Sequence, residues 1–247
     1  ARITRITFFR SRYLSRMLWV EKYRPRRLDE IVGREEVVSR LRGFIAKRNM
    51  PNLILYGPDG VGKRSMVFSL ARELFGDGWR GNFARIDPSD LPHVPEGEEF
   101  RRIAEHHSQK GRGELLKTVL SWYASTPPLW GGFRIMLIDN CHLLRRDIQH
   151  ALRRMMERFS TCRFILSTPK LSRIIPPLRS RCLLLYIRPP NKEECKSVLR
   201  EICNREGVKL SKEGFEAVWY NTNGNLRMAI GLLQASASIS KNVGAKT

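Results

Sequence analysis

Short, nearly continuous apolar runs punctuate the first three quarters of the chain, with amphipathic stretches between them. Leu53 to Tyr56 is the first run, ended by Gly57-Pro58, and Phe83 to Ile86 is the second. Ile135 to Ile138 ends at Asp139, Phe164 to Leu166 ends at Ser167, and Leu183 to Ile187 is the fifth. A strand with one wet face alternates apolar and polar residues. Unbroken runs predict parallel strands buried on both faces. The stretches Arg64 to Phe75, Glu114 to Tyr123 and Asp147 to Phe159 carry a helical period; in the last, Ile148, Leu152, Met155 and Met156 share one face. Strands alternating with helices predict an α/β fold, a doubly wound parallel sheet whose ligands sit at the carboxyl ends of the strands.

Pro189-Pro190 ends that alternation. Beyond it the pattern predicts helices only, at Lys192 to Glu206, Lys212 to Asn221 and Asn225 to Ser236, a small C-terminal helical domain. The stretch Asp87 to Gly113 is polar and reads as surface loop and short helix, with His106-His107 a solvated pair. The expected division is a basic extension at 1–16, an α/β nucleotide-binding domain at 17–188 and a helical domain at 189–247. No internal repeat and no metal-ligand cluster is evident.

A chain of 247 residues suffices for one α/β domain and a satellite. Composition adds a polyanionic partner. Lys and Arg number 45 against 24 Asp and Glu, a formal charge of +21, and nucleic acid is favoured over a generally basic face. The first sixteen residues hold five Arg and no acid. They read as a transit peptide or, preferably, as a gene-model artefact with Met17 the true start. Without those five Arg the charge falls from +21 to +16. Five scattered cysteines with no CxxC pair fit reduced thiols in an intracellular protein.

The chemistry is written most clearly at Gly57-Pro58-Asp59-Gly60-Val61-Gly62-Lys63, which fits GxxxxGK between a strand and a helix. Glycines let backbone N–H groups turn in around phosphate oxygens, Lys63 adds a charge for the β and γ phosphates, and the helix N-terminus adds its dipole. In that context a phosphate cradle is preferred to a chance glycine-rich turn. The next residue is ordinarily Ser or Thr, a Mg²⁺ ligand. Here it is Arg64, and Ser65 lies one residue late, about 100° around the helix. Arg64 puts positive charge where a metal would sit, which favours phosphate binding and impairs metal-assisted hydrolysis.

Asp139, at the end of the third run, is placed to hold Mg²⁺ weakly, directly or through water. The residue after it is Asn140, and an amide is no general base. The plainer alternative is a turn-favouring Asp-Asn pair, but its position after the phosphate loop favours function.

Four further segments complete a pattern: Trp19-Val20-Glu21-Lys22-Tyr23-Arg24-Pro25, Ala151 to Glu157, Ile175 to Cys182 with its Ser180-Arg181-Cys182, and Gly224-Asn225-Leu226-Arg227. Together they resemble the small subunits of replication factor C, the sliding-clamp loader of the AAA+ family, over Met17 to about Ser236. Lys63-Arg64-Ser65, Leu115 to Val119 and Gln149 to Arg154 are similar to the eukaryotic small subunit whose own ATPase site is degenerate.

The resemblance implies an AAA+ P-loop sheet with a helical lid. Tyr23, Arg24, Pro25 and Val32 would line the adenine pocket, and Gly57 to Lys63, with Arg64 and Ser65, would hold ATP or ADP. Arg227 would be the lid residue reaching the γ phosphate, and Arg181 an arginine finger acting in the neighbouring subunit's site. A structural salt bridge is the lesser reading of Arg181. The resemblance also implies a nuclear hetero-pentamer with other loader subunits, a sliding clamp and primer–template DNA, the last touched by Arg112, Lys117, Arg80 and Arg85 through salt-dependent phosphate contacts. No apolar run is long enough to cross a bilayer, so no membrane partner is expected.

Departures are visible. Ser167-Thr168-Pro169 stands where the family has a γ-phosphate-sensing Asn. The chain stops at Thr247, ahead of the family's assembly collar, so it is a piece of a longer protein or assembles weakly. Two rivals stay open: an autonomous P-loop ATPase using Ser65 and an unrecognised base, and a basic nucleic-acid-binding protein with a vestigial loop. A loader for repair or checkpoint clamps is open too, since such loaders share small subunits.

Overall fold

The computed structural model describes residues 17–90, 111–129 and 131–244. His106-His107 and most of the polar stretch lie outside the described residues, as do the side chain of Arg112 and all of 1–16. The chain forms two compact units, one of residues 26–58 and 63–188, the other of 17–25, 59–62 and 189–244.

The first unit carries five parallel strands: β1 (Leu53–Tyr56), β2 (Phe83–Ile86), β3 (Arg134–Ile138), β4 (Cys162–Thr168) and β5 (Leu183–Tyr186). Their order is β2-β3-β4-β1-β5, so β1 is central, flanked by β4 and β5. Every residue of β3 is buried, as the unbroken apolar run requires. Met136, Ile138, Phe164 and Leu166 share one cluster with Leu116 and Leu120 of the helix Arg112–Ser125 and with Ile148 and Leu152 of the helix Arg146–Arg158. Each such fully buried side chain contributes about 1.5–3 kcal/mol by leaving water.

Two expectations need correction here. β4 runs on through Ser167 to Thr168, because these short polar side chains are themselves buried, at 1% and 0% exposure. Asp87 is not on the surface; it is 7% exposed, directly after β2.

Gly43 sits inside the helix Glu35–Lys47, and a methyl group there would meet nothing within 4 Å. Glycine in a helix costs roughly 0.5–1 kcal/mol relative to alanine. Gly43→Ala is therefore expected to raise the Tm by about 2–3 °C, read by differential scanning calorimetry; a lower Tm would contradict the open geometry.

The second unit is mainly helical, with Lys192–Glu206, Lys212–Thr222 and Leu226–Ile239. A capping box starts the first: the Asn191 side chain accepts from Glu194 N at 2.8 Å, and Glu194 accepts from Asn191 N at 2.8 Å. Gly207, at φ 65°, ends it. The sequence predicts helices alone here, but Lys209–Leu210 and Asn242–Val243 pair as a short parallel ladder. The N-terminal turn Trp19–Lys22 belongs to this unit: Trp19 is buried with Leu199, Phe215 and Leu233, and its N–H donates to Gln234 at 2.8 Å. Among the described residues, no helix is long and apolar enough to cross a membrane.

Candidate nucleotide-binding site

The phosphate loop follows β1 and leads into the helix Lys63–Phe75. Gly57, Gly60 and Gly62 have φ of +153°, +76° and +94°, values that only glycine adopts without strain. The Lys63 side chain is buried; its ammonium donates to the carbonyls of Gly57 at 2.7 Å and Pro58 at 2.6 Å, which fixes the charge at the loop. At Gly60 a Cβ would stand 1.8 Å from Oδ1 of Asn225, so the glycine is needed for close approach as well as for conformation.

The carboxyl ends of β2 and β3 carry a charge cluster. Nε of Arg64 donates to Oδ2 of Asp139, and its Nη2 is 3.6 Å from Oδ2 of Asp87. Arg85 reaches both acids, at 3.3 Å from Asp87 and 3.6 Å from Asp139. Asn140 takes a left-handed conformation at φ 48°, tolerable for Asn, and its amide donates to Asp87 at 2.8 Å. Burial pushes the Asp87 carboxyl up, but hydrogen bonds from the Ser89 hydroxyl and N–H and from Asn140, with Arg85 beside it, hold it below the ordinary carboxylate range. Asp87 was missed in the sequence because two of its partners, Arg64 and Asn140, lie far along the chain, at the start of the helix Lys63–Phe75 and after β3. Arg85, expected on DNA, faces both carboxylates of this cluster.

A divalent cation does not fit these residues as they stand. Asp139 is bonded to Arg64, and a metal there would have to displace one guanidinium and sit beside another. Ser65 is half-buried one position late, and no group of three His, Cys, Asp or Glu able to hold a metal occurs among the described residues. A nucleotide phosphate fits better: glycine N–H groups, Lys63 and Arg64 all present positive charge.

The remaining site residues are distributed as follows. Tyr23 donates its hydroxyl to Glu206 at 2.7 Å, and Arg24 pairs with Glu21 at 2.5 Å, both within the C-terminal unit together with Pro25. Val32 lies in the other unit, where its carbonyl accepts from Arg34 at 2.6 Å. Arg227 is exposed in the first turn of its helix, which Asn225 caps by accepting from Met228 N at 3.1 Å. Pro169 follows the last residue of β4, and Thr168 O accepts from Gly57 N at 3.2 Å.

Arg181 donates from Nε to Glu157 at 2.7 Å and from Nη1 to Pro177 O at 2.8 Å, with its side chain 32% exposed. It borders a surface concavity of about 740 Å³ whose four charged lining residues, Arg40, Lys47, Arg163 and Arg181, are all cations. Of the other expected DNA contacts, Lys117 is paired with Glu114 at 2.8 Å and Asp147 at 3.1 Å. Arg80 is exposed, 5.7 Å from the centroid of the Trp79 ring.

Comparison with known proteins agrees with this geometry. The ATPase family associated with various cellular activities (AAA) matches residues 53–189, and the RCF1/5-like, AAA+ ATPase lid domain matches residues 197–238. The replication factor C small subunit of Archaeoglobus fulgidus is 42% identical over 93% of this chain and 67% of its own length. That of Methanococcus vannielii is 37% identical over 91% and 66%. The chain thus spans about two thirds of the length of these relatives. Among solved structures, the Thermotoga maritima RuvB Holliday junction branch migration motor has a TM-score of 0.62 at 19% identity, covering 90% of this chain and 69% of that one. A RuvB variant reaches a TM-score of 0.66, also at 19% identity. That likeness reports the fold. With a phosphate loop after the central strand, a matching lid and relatives of this identity, the chain belongs to the AAA family of ATPases and, within it, to the replication factor C small subunits.

Proposed function

We propose that this chain is a clamp-loader subunit that binds ATP or ADP, hydrolyses it poorly by itself, and lends Arg181 to the site of a neighbouring subunit. In this reading it works with other loader subunits to place a sliding clamp on primer–template DNA, in the nucleus, during replication and repair. It corresponds to the eukaryotic small subunit whose own site is degenerate. The observation that carries the reading is the ion pair between Arg64 and Asp139. It occupies with a guanidinium the acid that would otherwise hold the metal, while the glycines and Lys63 still form the cradle. Asn140, an amide bonded to Asp87, supplies no base for water. The cationic concavity beside Arg181 supports a role toward phosphates from outside the chain.

The test is paired. The purified chain is expected to bind a fluorescent ADP analogue while turning over ATP no faster than a Lys63→Ala control. Robust Mg²⁺-dependent turnover that Lys63→Ala abolishes would establish an autonomous ATPase instead. Failure to bind the analogue at all would leave a nucleic-acid-binding protein with a vestigial loop.

A further inference from the structure

Arg64 and Arg85 together do at this site part of what a divalent cation does elsewhere: they neutralise two carboxylates. Asp87 and Asp139 each face both guanidiniums, at 3.3 to 3.6 Å in the three longer pairs and in direct contact for Arg64 with Asp139. Within the cluster, Lys63, Arg64 and Arg85 set three cations against Asp87 and Asp139, and the loop's own Asp59 is a further carboxylate outside it. Both acids are buried, at 7% and 5% exposure, where the pairing is weakly screened by salt. The arginines are fixed from below by this pairing. Nε and Nη2 of Arg64 face the carboxylates, and Nη1 has no partner among the described residues. A guanidinium has five N–H donors and suits phosphate oxygens in a forked geometry. Arg64 also begins the helix at its second residue, where backbone N–H groups already favour an anion.

We propose that this loop binds its nucleoside di- or triphosphate without a divalent cation, Arg64 standing in as a built-in counter-ion. The proposal rests on the reading of Gly57 to Lys63 as a nucleotide site, and it deepens that reading by naming the form of the ligand. The site needs no metal on its nucleotide, and magnesium does nothing to complete it.

The experiment titrates the full chain with a fluorescent ADP analogue, once with magnesium chloride in excess and once with EDTA in excess. The Kd of the wild type is expected to be the same in the two buffers within roughly twofold, or tighter in EDTA. Arg64→Thr removes the guanidinium and places a hydroxyl beside Asp139, which then keeps only the more distant Arg85 at 3.6 Å. Its affinity is expected to fall at least roughly tenfold in EDTA and to recover when magnesium is added. Arg64→Lys, which keeps a cation, is expected to stay insensitive to EDTA, and it preserves the comparison if the Thr variant does not fold. Weakening of wild-type binding by more than roughly tenfold in EDTA would overturn the proposal while leaving the nucleotide site intact. Absence of binding in both buffers would overturn the nucleotide site itself.

Discussion

Arg181→Ala is expected to slow hydrolysis at the neighbouring subunit's site by roughly 10³-fold in a reconstituted loader, the effect of removing a guanidinium from a phosphoryl-transfer transition state. The readout is single-turnover hydrolysis in a complex whose neighbouring site alone is competent, because the total rate would be diluted by other sites. The structure offers a competing explanation that the experiment must separate. Arg181 is bonded to Glu157 and to Pro177 O, and Glu157 lies lower than an ordinary carboxylate because of the hydrogen bond from Arg181, with Arg153 adding to it. If that pair were the whole purpose of Arg181, its loss would move the rate little, since an exposed pair is screened by solvent and adds little to stability. Arg181→Lys divides the two readings further. Lysine keeps the charge toward Glu157 but lacks the planar fork, so a finger is crippled by it while a salt bridge is not. Glu157→Gln releases the fork and is expected to leave the rate within roughly threefold of wild type, as befits a group that parks the side chain. A wild-type rate in the Ala variant removes the finger assignment.

The parts of this protein that could be read from sequence are those whose cause is local. The five strands are legible because burial on both faces demands unbroken apolar runs, as in Arg134–Ile138. The phosphate loop is legible because its glycine spacing is set by the backbone itself. Arg64 opposite Asp139 is legible in outline, since strand order and motif position bring them to the same end of the sheet. What was illegible depends on distant partners. Ser167 and Thr168 look like strand terminators, yet they pair in register with Leu55 and Tyr56, which buries them. Arg85 looks like a basic surface residue, and only the neighbouring β3 supplies the Asp139 that engages it. The ladder between Lys209–Leu210 and Asn242–Val243 has two residues on each side, too few for any periodicity. Likewise nothing in chain order places Trp19 among residues near the other terminus.

Gly57→Ala is expected to be the most damaging single-methyl change in the chain, lowering stability by about 3 kcal/mol or more and abolishing nucleotide binding. Gly57 has φ +153°, and a Cβ there would stand 2.1 Å from the carbonyl oxygen of Ile187 and 3.0 Å from its carbon. Those atoms are backbone and cannot rotate away. Ile187 is also held, because its N–H donates to Tyr56 O at 2.7 Å. On the other side, Gly57 N donates to Thr168 O at 3.2 Å. Gly57 is therefore wedged between the continuations of β4 and β5, and a methyl group must push one of them off β1. The first turn of the cradle moves with it, and with it the carbonyl that positions Lys63. For a chain of this size the Tm is expected to drop by about 6–12 °C, alongside loss of the fluorescent ADP signal. Gly76→Ala supplies the control: φ is +63°, but nothing lies within 4 Å of the added methyl. It carries the conformational penalty alone, about 1 kcal/mol, and should leave nucleotide affinity unchanged. Equal effects of the two substitutions would mean that backbone strain, rather than close approach to Ile187, is what reserves position 57 for glycine.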